Sequence, residues 1–125
     1  MRIIDAGAVV ALLVGSLDPD RFGDEELGAP HLVDSEVTNA LRRLAARGVL
    51  TDDQAALALD GFTRVTLTRY PADWLRPRMW SMRHNLSAYD ATYVALAEMT
   101  DATALLTTDT RIARAPGVRC PVLVL

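Results

Sequence analysis

The sequence predicts a three-layer α/β/α fold around a central, mostly parallel sheet, and three observations predict it. Short apolar segments alternate with helical stretches in the order β-α-β-α-α-β-α-α-β-α-β, the pattern of a parallel sheet covered by helices on both faces. In the stretch Leu86 to Glu98, the run of Ala, Val and Leu beyond Asp90 has almost no polar face, so its helix belongs against a sheet. Acidic residues recur where strands give way to helices, and right-handed crossovers bring all strand carboxyl ends to one edge, where ligands bind at the switch in strand order.

Taken along the chain, Arg2 to Ile4 is a brief strand ending at Asp5, followed directly by a helix over Ala6 to Leu13. Ser16 to Glu26 is polar and turn-rich; Asp18-Pro19-Asp20 faintly resembles a calcium loop, but Pro19 and Phe22 fall where that loop needs a flexible residue and a ligand, so a solvated connection is expected. Pro30 to Val33 is expected as the second strand. Asp34 or Ser35 can then cap a helix from Glu36 to Arg47 that Gly48 ends. Val37, Leu41 and Leu44 form its inward stripe, and Arg42, Arg43 and Arg47 share an outward face. Thr51 to Gln54 is a capping box opening a helix to Phe62.

Arg64 to Tyr70 alternates loosely enough for an edge strand, ended by Pro71. Asp73 can cap a helix carrying Trp74, Met79, Trp80 and Met82, which are expected in the core or at a subunit interface. Ser87 is a good N-cap for the central helix, with Asp90 in the place of the acidic partner of a capping box. Ala104 to Thr107 is a strand running into Thr108-Asp109-Thr110-Arg111 and a helical turn, and Pro121 to Leu125 is the last strand.

Composition limits what such a fold can do. At 125 residues and 50% apolar content, one domain over residues 1–125 is expected. No apolar run approaches the roughly 20 residues of a membrane span, and Met-Arg-Ile-Ile-Asp is too short and too acidic for a signal peptide, so a cytoplasmic protein without membrane attachment is expected. The single cysteine, Cys120, has no partner for a disulfide or a structural metal site. His31 and His84 have no neighbours at ligand spacing. All 13 basic residues are arginine and the net charge is −3, so any nucleic-acid contact must come from a local arginine patch.

Four acids meet the predicted edge: Asp5, Glu36, Asp90 and Asp109, each from a different strand-to-helix junction. Capping explains Asp90, and Asp109 for the short helix after it, but explains Asp5 poorly. Converging carboxylates without a lysine partner repel by about 1 kcal/mol or more per close pair unless a cation or protons neutralise them. Oxygen ligands with neither Cys nor His select Mg²⁺ or Mn²⁺, which suits phosphodiester hydrolysis. Asp5 and Asp90 are the expected principal ligands, with Glu36 and Asp109 completing the site directly or through water, and either of these two able to orient or deprotonate the attacking water. Asn39 projects from the same side as Glu36 and can support it; Thr107 can hydrogen-bond within the Asp109 turn.

These residues resemble a known family. Ile-Ile-Asp5-Ala-Gly-Ala, Glu36-Val-Thr-Asn39-Ala-Leu, Leu-Ser-Ala-Tyr-Asp90-Ala-Thr-Tyr-Val-Ala-Leu-Ala-Glu and Leu-Leu-Thr107-Thr-Asp109-Thr-Arg look like a PIN domain from Ile3 to Leu125, similar to the VapC-type toxins of toxin-antitoxin modules. The resemblance implies a Mg²⁺-dependent endoribonuclease that cleaves structured RNA such as tRNA or ribosomal RNA. It also implies a homodimer inhibited by a VapB-type antitoxin whose C-terminal segment enters the acidic groove. Members often carry a serine two residues after the first Asp; Gly7 stands there, so a hydroxyl contact is expected to be lost. Arg42, Arg43, Arg47, Arg111 and Arg114 lie where they can grip phosphates, solvate the surface or meet an acidic antitoxin.

Three alternatives differ in class. A phosphoacceptor receiver domain needs a lysine that this chain lacks, and a haloacid dehalogenase-like phosphatase needs an Asp where Gly7 stands. The remaining alternative is a PIN-like fold kept as a catalytically silent protein-binding module.

Overall fold

The computed structural model describes residues 1–125. Strands β1 (Arg2–Ile4), β2 (Leu27–Pro30), β3 (Thr68–Tyr70), β4 (Leu105–Thr107) and β5 (Val122–Val124) form one sheet in the order β3-β2-β1-β4-β5. Every pairing is parallel, so the sheet is parallel throughout. The helices are α1 (Ala6–Leu13), α2 (Leu32–Ala46), α3 (Asp52–Phe62), α4 (Arg76–Ser81), α5 (Ala88–Met99) and α6 (Thr110–Arg114). The first three contact one another, while α5 lies along β1 and β2 with α4 against it, which gives the expected three layers. Strand order reverses between β1 and β4, so the cleft of a doubly wound sheet opens above those two strands.

The core is aliphatic and centred on the inner strands. Ile3, Ile4, Leu105 and Leu106 are wholly buried, as are Val9, Val33, Val37, Val94 and Leu96 from the helices facing them. Helix α5 behaves as its composition predicts: every residue from Ala91 to Ala97 is buried. Ser87 caps it by accepting the Asp90 backbone N–H at 3.1 Å. The reciprocal bond of a capping box, present between Gln54 and Thr51, is not made by Asp90, which leaves the carboxylate for the cleft.

Several boundaries differ from expectation for identifiable reasons. The second strand is Leu27–Pro30, not Pro30 to Val33, although Gly28 and Ala29 are poor strand formers. Close packing selects them: a Cβ on Gly28 would stand 3.0 Å from the Tyr70 ring and 3.1 Å from Ile3. Helix α2 accordingly begins at Leu32, and neither Asp34 nor Ser35 caps it. Asp34 instead pairs with Arg69 through two bonds of 2.7 Å, fastening α2 to the edge strand β3. Only Thr68–Tyr70 of the expected edge segment is strand. Asp73 lies inside a 3-10 turn rather than capping α4. Of the aromatic and methionine group, Met82 is buried, whereas Trp80 is 68% exposed and carries Arg83 over its ring at 4.5 Å. The connection after α1 is more than solvated loop, because a 3-10 turn over Pro19–Phe22 drives Phe22 into the core.

Candidate active site

Asp5 leaves β1 and enters α1 as its N-cap. Its Oδ1 accepts the Ala8 backbone N–H at 2.8 Å. Its Oδ2 accepts the hydroxyl of Thr107, the last residue of β4, and that same hydroxyl accepts the Asp109 backbone N–H at 2.9 Å. Thr107 is wholly buried, so one side chain locks together the carboxyl ends of β1 and β4. Burial drives the Asp5 carboxyl up to about 6, against the bonds from Thr107 and Ala8, and the charges of Asp90 and Asp109 push the same way.

Asp90, in the first turn of α5, is also raised, first by burial and then by the charge of Asp109. Asp109 caps α6 by accepting the Arg111 backbone N–H at 2.9 Å. The Arg111 guanidinium returns to the same carboxylate at 2.7 Å and holds its ionisation below the usual range. Arg111, expected to contact RNA, is thus the internal counter-ion of one of the four acids.

Glu36 comes from α2. Its Oε1 is buried without a hydrogen-bond partner, and so is the hydroxyl of Tyr93. That hydroxyl faces Glu36 and also feels Asp5 and Asp90, so its ionisation is suppressed by burial and by three surrounding carboxylates. Tyr93 therefore stands beneath the acidic cluster, a position the sequence disguised within an apolar run. The signal was its place three residues after Asp90, on the same helix face, with a hydroxyl that an all-apolar stripe could not satisfy.

A groove of about 810 Å³ runs from this edge between α1 and α2, lined among others by Gly7, Glu36, Asn39, Arg43 and Arg47. The expected arginine face divides here. Arg43 and Arg47 reach the groove, while Arg42 is held by Asn39 Oδ1 at 2.9 and 3.1 Å. Asn39 accepts from Arg42 through its amide oxygen, and its amide nitrogen makes no hydrogen bond to Glu36. A different hydroxyl stands beside Gly7. Thr108 Oγ1 lies 2.8 Å from the point that a Cβ on Gly7 would occupy.

All donors around the cleft are oxygens, and no lysine or histidine competes for the acids. Glu36 Oε1 and the raised Asp5 and Asp90 fit a hard divalent cation chemically. The acids share one edge, but no three acidic, histidine or cysteine side chains gather around one point at ligand distance.

A parallel β3-β2-β1-β4-β5 sheet with acids from β1, α2, α5 and the end of β4 defines a PIN-type α/β protein, and comparison bears this out. The PIN domain family model matches residues 2–118. The chain belongs to the PIN domain family. Among its relatives, ribonuclease VapC9 of Mycobacterium tuberculosis is 43% identical over 125 residues, covering 99% of this chain and 98% of the relative. Ribonuclease VapC1 of the same organism is 40% identical over 129 residues, covering 96% and 94%. Of solved structures, PAE2754 from Pyrobaculum aerophilum superposes with a TM-score of 0.68 at 27% identity, covering 95% of this chain and 87% of the other. The sarcin-ricin loop cleaving toxin VapC20 of M. tuberculosis gives 0.67 at 14% identity, covering 95% and 97%, a likeness of fold.

Proposed function

We propose that this chain is a Mg²⁺-dependent endoribonuclease, the toxin of a type II toxin-antitoxin module, with Mn²⁺ able to substitute. The observation that carries the reading is the pair Asp5 and Asp90, carboxyls whose ionisation burial suppresses, with the buried Glu36 Oε1 facing the Tyr93 hydroxyl that both of them also feel. Carboxylates buried near one another are costly to ionise, and a cation offsets that cost for the whole cluster at once. Mg²⁺ keeps several of its waters, so the acids need not close to direct ligand distance to hold it.

Asp5 and Asp90 are the principal ligands in this reading, with Glu36 and Asp109 completing the site. The bound ion supplies charge stabilisation at the phosphate and lowers the pKa of the attacking water. Asp5 is fixed by Thr107 and Ala8, so it presents its carboxylate in one orientation. Asp109 is occupied by Arg111, which leaves Glu36 as the carboxylate free to take the proton from water. Arg43 and Arg47 place positive charge along the groove, where an RNA backbone enters.

The substrate in this reading is structured RNA such as tRNA or ribosomal RNA, acted on in the cytoplasm. The partners are a VapB-type antitoxin and a second copy of the chain. Kinship at 40% identity or more with proteins named VapC ribonucleases supports the class of activity. No helix of the chain is long and apolar enough to cross a membrane.

The test is cleavage of purified tRNA and ribosomal RNA with Mg²⁺, with chelator, and by Glu36→Gln. Cleavage that needs the ion and falls at least about a hundredfold in the variant supports the reading. Cleavage that survives chelation refutes the metal role, and a folded chain that cuts no RNA yet binds an antitoxin is the silent binding module.

A further inference from the structure

We propose that Thr108 projects a hydroxyl into the acidic cleft to donate to a backbone phosphate oxygen of bound RNA, and that position 7 is glycine to make room for it. The proposal rests on the ribonuclease reading of the same site.

Gly7 is not there for its backbone. It lies in the first turn of α1, outside the positive-φ positions Gly15, Gly23, Gly48 and Gly117. A glycine within a helix is otherwise unfavourable, because it loses the most chain freedom on folding. What requires it is contact: an added Cβ would stand 2.8 Å from Thr108 Oγ1 and 3.6 Å from Asp5 Oδ1. The first distance is below any ordinary carbon–oxygen contact, so either the hydroxyl or a side chain at position 7 can occupy this corner, not both.

Thr108 has no fold-holding role that would explain the placement. It is exposed and its hydroxyl makes no hydrogen bond within the chain, in contrast to buried Thr107 beside it. It follows Thr107 and precedes Asp109, both members of the cluster, and its hydroxyl stands at the corner beside Gly7 and Asp5. Gly7, on which it rests, lines the same groove as Glu36, Arg43 and Arg47. A neutral donor at that spot can meet a phosphate oxygen without competing for the carboxylates as Arg111 does for Asp109.

The decisive experiment measures affinity for a fluorescent single-stranded RNA oligonucleotide in chelator, alongside RNA cleavage in Mg²⁺ and thermal melting. The proteins are the parent, Thr108→Ser, Thr108→Val, Gly7→Ser and the exchange Gly7→Ser with Thr108→Ala. Loss of one hydrogen bond to a charged acceptor predicts about tenfold weaker RNA binding for Thr108→Val, with an unchanged melting temperature. Thr108→Ser stays near the parent. Gly7→Ser alone binds more weakly because the added side chain turns the Thr108 hydroxyl out of the corner, and the exchange restores binding by returning a hydroxyl from α1. RNA affinity equal to the parent in Thr108→Val, or an exchange no better than Gly7→Ser, overturns the proposal. The expected affinity pattern without any cleavage keeps the hydroxyl contact and overturns the ribonuclease reading, whereas cleavage with a flat affinity pattern does the reverse. RNA bound by none of these proteins overturns both.

Discussion

The buried hydroxyl of Thr107 donates to Asp5 across the carboxyl ends of β4 and β1 and accepts the Asp109 backbone N–H in return. Thr107→Val keeps the shape and removes both bonds. Leaving Asp5 one donor short and the Asp109 N–H unpaired is expected to cost about 1 to 3 kcal/mol, measured by urea unfolding. The Asp5 carboxyl should rise further, because the Thr107 bond is what holds it down against burial.

Stability in the absence of divalent ions should depend on pH with an uncommon sign. Asp5 titrates at about 6 when folded against 3.8 as the unperturbed value, so the folded state binds more protons between those values. Stability from this group is therefore lost as pH rises from about 4 through 6, and Asp90, also raised, acts in the same direction. Asp5→Asn should remove most of that slope, while the loss of an acceptor for the Thr107 hydroxyl offsets part of the gain from removing the buried charge near pH 7. Denaturant midpoints for parent and variant at pH 5, 6 and 7 check this; parallel curves would contradict it. Asp34 and Asp109, whose carboxyls are lowered by Arg69 and Arg111, contribute the opposite dependence, lost only at more acid pH.

Tyr93→Phe should separate stability from activity. Its hydroxyl and Glu36 Oε1 are both buried and unpaired, so deleting the hydroxyl is expected to leave the metal-free fold unchanged or more stable by about 1 kcal/mol. RNA cleavage should nonetheless fall, because the Tyr93 hydroxyl that faces Glu36 and feels Asp5 and Asp90 is gone from beneath the acids. Equal losses in melting temperature and rate would make Tyr93 a core residue only.

Among the arginines, position in the groove should decide effect. Arg43→Ala and Arg47→Ala are each expected to reduce the salt dependence of single-stranded RNA binding by about 0.7 in log-log slope. Arg42→Ala, which only frees Asn39, should leave the slope unchanged. Fluorescence anisotropy over a salt series distinguishes the three.

The outline of the candidate site is legible in the sequence because its acids occupy positions that the chain itself marks. Asp5, Asp90 and Asp109 each fall at a strand end or helix start, and the alternation of elements puts those points on one edge. Strand β2 lies earlier than local propensity places it because the Tyr70 ring and Ile3 press on Gly28, a pressure that no local propensity carries. Asp34 looked like a cap because its ion-pair partner, Arg69, is on another element. Tyr93 was hidden among the residues that bury α5, and the meeting of Gly7 with Thr108 joins chain segments too distant for spacing to reveal. In each case the missing information was a contact made only when the sheet is assembled.

The central claim, that the four acids form a cation site, is tested most directly by thermal melting with and without Mn²⁺ on the parent and on Asp90→Asn. An ion present at 100 times its dissociation constant should stabilise the parent by about 2.7 kcal/mol. The parent should shift upward and the variant should not, and the metal-free variant should be at least as stable as the metal-free parent, since one repelling charge is gone. If Mn²⁺ moves neither protein and the variant melts lower, the acids are caps and surface charges, and the metal-dependent reading is wrong.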